Sequence, residues 1–194
     1  TFWLRRGATW EDGAPVTAHD FVHAWREVLR PANAAPYASL LYPVRNARAI
    51  ASGELAPESL GATAPEDHRL EVVFGQPCAW FPALTAFMTL LPLRADFHAA
   101  QGGRHAADAG RLLANGPFRL TRWVHGAQLV LEKNPRYWNA GAIRLQRIEV
   151  PYITTDAQAE LNLFLDRRIA MANIAPDSVR QVLLERQRLR RFAD

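Results

Sequence analysis

The chain has one cysteine among its 194 residues, Cys78, which excludes an internal disulfide and a zinc site built from several thiolates. Placed at the start of an apolar segment, Cys78 is expected to be a buried, inert thiol. Lysine is as scarce, with Lys133 alone, so arginine carries nearly all the positive charge behind a net +4 and a pI near 9.8. That skew, beside abundant alanine, reflects genome composition rather than a nucleic-acid surface. The densest basic run, Arg186 to Arg191, is bordered by Glu185 and Asp194 and has no interleaved aromatics or glycines. It fits the solvated side of a helix, and no nucleic-acid partner is expected. The longest nearly apolar stretch, Ala83 to Leu93, is interrupted by Pro92 and falls short of the ~20 residues a membrane span needs. No membrane insertion of this segment is expected. The opening "TFWLRR" has neither the cationic start nor the apolar core of a secretion signal, so a signal segment is expected upstream or removed, not in this chain. There is no nucleophile elbow, phosphate-binding glycine loop or metal cluster, so no catalytic residue, no cofactor and no metal are assigned, and the protein is not expected to be an enzyme.

What is present begins with "TAHDFVHAW", Thr17 to Trp25. Two histidines four apart with an acid after the first come one methylene short of the His-Glu-x-x-His helix of zinc peptidases. A local explanation serves better. Thr17 is an N-cap, Asp20 completes a capping box at the third helical position, and Val16 and Phe21 form a hydrophobic staple. At 100° per residue, Phe21, Val22, Trp25, Val28 and Leu29 share one side, and His19, His23, Arg26, Glu27 and Arg30 the other. Arg26 and Arg30 would repel a divalent ion, and the position for a third histidine is Leu29. The zinc peptidase stays only as a remote alternative, needing an acid such as Glu54 from a later helix. The helix ends at Pro31.

Elsewhere the spacing predicts a strand at Phe2–Arg5 and a turn around Asp12, Gly13 and Pro15. Short helical turns follow between Pro31, Pro36 and Pro43. A hairpin is expected with Leu70, Val72 and Phe74 on one face and its turn at Pro65–Asp67, then a short buried helix from Pro77. Residues 94–114 form a loop-rich crossing, with a seam near 105–115. A second hairpin places Phe118 and Leu120 opposite Leu129 and Leu131, with His125-Gly126 at the turn. Ile148, Val150 and Tyr152 share a strand face. Thr154 or Thr155 caps a helix with Ala157, Leu161, Phe164 and Leu165 inward, and a last helix from Pro176 turns Val179, Val182 and Leu183 inward. The class is mixed α+β.

Six segments, in order, resemble one family: "WEDGAPVTAHDFVHAW", "APYASLL", "LGATAPEDHRLEVVF", "NGPFRLTRW", "LEKNPRYWN" and "IEVPYITTDAQAELNLFLDRR". They are similar to the bacterial extracellular solute-binding proteins of oligopeptide and dipeptide ABC importers, family 5 type, in the oligopeptide-binding branch. The resemblance implies part of a two-lobed periplasmic-binding-protein fold, from the first half of a much longer protein. Residues 1–12 would supply a strand and turn of lobe I, 13–110 the small subdomain of the first lobe, and 111–194 a partial lobe I, with the second lobe absent. It also implies the function: capturing extended oligopeptides between two lobes and delivering them to ABC-importer permease subunits, in the periplasm or as a cell-surface lipoprotein. The solute-sensing domain of a bacterial transcription regulator is the alternative. Tyr37 matches the tyrosine that lies at the ligand cleft in this branch, where an aromatic ring would stack on the peptide. Asn115, Gly116, Tyr137 and Trp138 recur in the family as structural or cleft-edge residues, Gly116 for turn geometry.

Overall fold

A computed structural model describes residues 1–151, 156–172 and 179. The expectations for Tyr152, Thr154, Thr155, the helix from Pro176 with Val182 and Leu183, and the basic run at Arg186–Arg191 lie outside the described residues. Val179, expected inward, is exposed.

The class is α+β, as expected. Strand β1 is Phe2–Trp3, shorter than expected because the chain turns at Arg6 and Gly7. Helix α1, Ala18–Leu29, begins where its sequence signals place it. Thr17 is extended, at φ −119° and ψ 165°, and its N–H donates to Asp20 Oδ2 at 2.8 Å in a capping box. Val22, Ala24, Trp25 and Leu29 are buried, while His19 and Arg30 are exposed. Asp20 is also buried, because the indole N–H of Trp10 donates to the same Oδ2 at 3.2 Å. The prolines then break the chain as predicted, leaving short turns at Pro31–Asn33, Ala38–Leu41 and Pro57–Ser59 around the short helix α2, Ala47–Ala51.

Strands β2, Ala62–Glu66, and β3, Arg69–Val72, form the first hairpin, and β1 adds antiparallel to β3, giving the order β1-β3-β2. Its turn is Asp67–His68 rather than Pro65–Asp67. β2 is an edge strand with a register irregularity between Thr63 and Glu66, where Pro65, lacking an N–H, is accommodated within the strand. Gly61, just before it, is pinned between two neighbours: its N–H donates to Arg45 O at 2.9 Å and its carbonyl accepts from Val73 N–H at 2.7 Å. A Cβ there would lie 2.8 Å from both Arg45 Cβ and Val73 O, so only glycine fits.

Helix α3 is a single turn, Phe81–Leu84, starting after Pro77 because Pro82 is suited only to a first turn. It delivers Phe81 to the core, edge-on to Trp25 at 5.8 Å and to Phe74 at 4.9 Å. The Trp25 indole N–H donates to Leu90 O at 3.0 Å, and Leu29, Leu41 and Ile50 complete the fully buried set around it. Cys78 is buried in this core, as expected. Helix α4, Ala95–Ala100, follows.

The second sheet has the order β4-β5-β6, with β4 Phe118–Val124, β5 Gln128–Lys133 and β6 Arg147–Val150. His125-Gly126 occupies the hairpin turn, with Gly126 at φ +70°. In β5 the fully buried side chain is Val130, while Leu129 and Leu131 on the other face are half-buried. Side chains on both faces of β5 are at least partly buried, so the alternation reads less sharply than on a strand with one face in water. Helix α5, Ala157–Leu165, is capped by Asp156 rather than by Thr154 or Thr155. Asp156 Oδ1 accepts from the N–H groups of Gln158 at 2.9 Å and Ala159 at 3.2 Å, placing a carboxylate at the positive end of the helix dipole. Leu161 is buried; Ala157, Phe164 and Leu165 are half-buried.

Packing divides the chain into two units. One comprises residues 1–121 and 131–148 and holds the first sheet, α1 to α4 and the core. The other comprises 122–130 and 149–194, in which Val130 and Leu161 are the buried apolar side chains among the described residues.

Candidate functional site: aromatic residues of the first unit

Tyr37 immediately precedes the Ala38–Leu41 turn, and its carbonyl accepts from Leu40 N–H at 3.1 Å. Its ring meets Phe87 edge-on, with centroids 5.2 Å apart and planes at 78°, and the side chain is 52% exposed. No described residue hydrogen-bonds its hydroxyl. One edge is fixed and the rest is open, which suits a ring that lies against a ligand.

Asn115, Tyr137 and Trp138 line a different depression, of about 230 Å³, with Arg5, Val16 and Phe21. The Arg5 guanidinium lies 3.6 Å from the Trp138 ring centroid, a cation–π contact that holds the half-exposed indole. Tyr37 is not among the lining residues. Thus Asn115, Tyr137 and Trp138 come together and Tyr37 stands apart from them.

Asn134 organises this arrangement. It is 1% exposed; its Nδ2 donates to Gly116 O at 2.9 Å, its Oδ1 accepts from Arg136 N–H at 3.0 Å, and its own N–H donates to Pro117 O at 2.9 Å. Gly116 and Pro117 are thereby tied to the loop that carries Tyr137 and Trp138. The sequence holds one signal for this, an asparagine before a proline opening a turn, where the side chain bonds the backbone two residues on. Gly116 contributes its carbonyl. Its φ is not in the left-handed region and a Cβ would meet nothing within 4 Å, so the expected turn geometry does not require glycine there.

The histidines of "HDFVH" take separate partners. His19 Nε2 lies 3.6 Å from Asp67 Oδ1, and His23 Nε2 lies 3.1 Å from His98 Nδ1. His98 in turn meets the edge of His105, with centroids 5.3 Å apart. Among the described residues no group of three histidine, cysteine, aspartate or glutamate side chains is placed to hold a metal ion. Burial pushes the His23 imidazole below its ordinary 6.5, with Glu27 opposing and His98 reinforcing the effect. Burial and His98 push His105 the same way. The unfolded chain therefore takes up these protons first as pH falls. Their contribution to stability is complete above about pH 6.5 and is lost as pH drops through the depressed folded-state values. The unfolding temperature should accordingly be flat above that pH and decline below it, with the decline reduced in a His23→Gln/His105→Gln double variant. An equal decline in both proteins would assign the acid sensitivity to other groups.

Residues 1–191 match the family model described as bacterial extracellular solute-binding proteins, family 5 Middle. The chain belongs to this family. It is 35% identical over 165 residues to the oligopeptide-binding protein OppA of Bacillus subtilis, covering 84% of this chain and 30% of that protein. It is 37% identical over 157 residues to the probable deoxycholate-binding periplasmic protein YgiS of Escherichia coli, covering 80% and 29%. The structure of Listeria monocytogenes OppA bound to peptide is similar at a TM-score of 0.84 and 34% identity, over 93% of this chain and 35% of that one. The chain thus spans about a third of the length of these relatives, and it forms a portion of the two-lobed periplasmic-binding-protein fold that the six sequence segments implied. No helix among the described residues is long and apolar enough to cross a membrane.

Proposed function

We propose that this chain is part of the substrate-binding component of an ABC importer, which encloses an extended oligopeptide between two lobes and delivers it to the membrane permease. The observation that carries this reading is the likeness to a family 5 OppA bound to peptide, extending over 93% of the chain. Residues 13–110 are assigned to the small subdomain, and residues 1–12 and 111–194 to lobe I. The work is capture without chemistry: main-chain hydrogen bonds supply affinity, and hydrated side-chain pockets tolerate varied sequences. Such a component operates in the periplasm or tethered at the cell surface. Tyr37 is assigned to the ligand, its half-exposed ring offering contact area at little entropic cost. Asn115, Gly116, Tyr137 and Trp138 shape the cleft edge.

Native mass spectrometry of the whole protein, gently purified and then denatured, tests the ligand class. A mixed set of short peptides is expected. A single defined small molecule would overturn the peptide assignment, and the name of YgiS makes a sterol-like acid the first rival to look for. Tyr37→Ala is expected to weaken peptide binding by about ten-fold in calorimetry, with Tyr37→Phe close to the parent. Unchanged affinity in Tyr37→Ala would reduce the residue to a packing partner of Phe87.

A further inference from the structure

A larger depression, of about 650 Å³, opens elsewhere in the first unit. Pro43 and Gly75 line it at one end of a short antiparallel meeting of residues 43–45 with 73–75: Gly75 N–H donates to Pro43 O and Arg45 N–H to Val73 O, each at 2.9 Å, with Val44 bridged to Phe74. Ser39, Leu40, Trp80 and Leu84 also line the depression. Trp80 is 60% exposed, a large aromatic surface left facing water. Gly75 has a φ outside the left-handed region, and a Cβ there would meet nothing closer than 3.9 Å. The backbone does not demand glycine, and what its missing side chain leaves is space in the groove.

The charge on this groove is of one sign. Arg48 stands at its rim with its guanidinium 5.0 Å from the Tyr42 ring centroid, and no acidic side chain lines the groove. Arg48 has no carboxylate partner among the described residues. An adjoining depression shares Tyr42, Arg48 and Gly75 and adds both Arg45 and the carboxylate of Glu54, which forms an ion pair with neither arginine. A guanidinium resting on an aromatic face keeps its N–H fork available for a carboxylate, and the volume lies within the ~300–1,000 Å³ of small-molecule sites.

We propose that this groove is a second binding site, separate from the peptide cleft, for a carboxylate carried on a flat aromatic body. The body lies between Trp80 and Leu40 over Gly75, and the carboxylate meets Arg48. None of its lining residues lines the Trp138 depression, and neither Tyr37 nor Phe87 lines the groove, although Leu40 N–H donates to the Tyr37 carbonyl at 3.1 Å and Phe87 N–H to Leu84 O at 2.8 Å. Competition by peptide decides whether the site is independent of the cleft.

The test uses the whole protein and 1-naphthaleneacetate, with 1-naphthaleneacetamide as the neutral control, followed through the Trp80 indole N–H resonance, which is assigned by its loss in Trp80→Phe. Saturable binding of the acid at about 1 mM or tighter is expected from its size. The amide, and the acid with Arg48→Gln, should each bind about ten-fold more weakly. Gly75→Leu, which fills that space, should abolish binding while leaving the unfolding temperature close to the parent. Addition of a saturating peptide should leave acid binding unchanged. Absence of saturation, equal affinity for acid and amide, or indifference to Gly75→Leu would overturn the proposal. Displacement by peptide would overturn the site's independence from the cleft, and a peptide that fails to bind at all would count against the capture reading while leaving this one intact.

Discussion

Replacing Trp25 by alanine is expected to cost about 3–5 kcal/mol of stability, the range for removing a large buried aromatic ring. The side chain is 1% exposed, packs edge-on to Phe81 at 5.8 Å and donates its indole N–H to Leu90 O at 3.0 Å. Alanine removes both interactions and leaves a cavity between α1 and the segment leading to Leu90. Because a domain holds only ~5–15 kcal/mol in total, this is a large part of its stability and should lower the unfolding midpoint markedly. Trp25→Phe keeps most of the packing and loses the hydrogen bond, so its cost should be smaller, about 1–2 kcal/mol. Urea unfolding followed by circular dichroism measures both. A Trp25→Ala loss below ~1 kcal/mol would mean that the core around Phe81 closes over the gap, contrary to the close packing described.

The second large effect is expected at Asp20. Its Oδ2 accepts from the Trp10 indole at 3.2 Å and from Thr17 N–H at 2.8 Å, in a position that is 6% exposed. Asp20→Ala leaves two donors without their acceptor and removes half of the capping box, for a loss of about 2–4 kcal/mol. Asp20→Asn retains an oxygen acceptor and should cost about 1 kcal/mol, since the bonds lose their charge assistance. This pattern separates the two readings of "HDFVH". A structural carboxylate shows its loss in the unfolding midpoint and in faster hydrogen exchange of the Trp10 indole. A catalytic base would leave both unmoved in Asp20→Asn and lose a hydrolytic activity instead.

What the sequence made legible was local. The start of α1 was readable because Thr17 and Asp20 are three residues apart, and both hairpins because alternation and turn residues lie within one short window. The role of Asp20 beyond the cap was not, since Trp10 reaches it across an intervening turn that no helical wheel represents. His23 has the same history: its polar-face position was visible, whereas His98, 75 residues later, had to be brought to it by the fold. Boundaries failed where a proline could be accommodated in more than one way. Pro65 reads as a turn residue but is carried inside an edge strand, and Pro77 reads as a helix start that Pro82 provides instead. Of the residues assigned to ligand or cleft edge, Asn115, Tyr137 and Trp138 do line one depression. The residue that fixes their loop, Asn134, is not legible as such in the sequence, because two of its three hydrogen bonds go to backbone groups that only the fold brings to it. The groove over Gly75 left no sequence signal at all, because its lining comes from separated segments.

The separation between Trp25 and Leu90 has a consequence for synthesis. Trp10 and Asp20 are 10 residues apart, whereas Trp25 must wait 65 residues for Leu90. At ~5–20 residues per second on a ribosome, that interval is roughly 3–13 s. The N-terminal end of α1 can close on its own cap early in that time, while Val22, Trp25 and Leu29 remain an uncovered apolar stripe until Phe81 and Leu90 emerge. The nascent chain is therefore most exposed to chaperones and to misassembly between the emergence of residue 29 and that of residue 90, and a ribosome pause within that window would lengthen the life of the very stripe that later anchors the core.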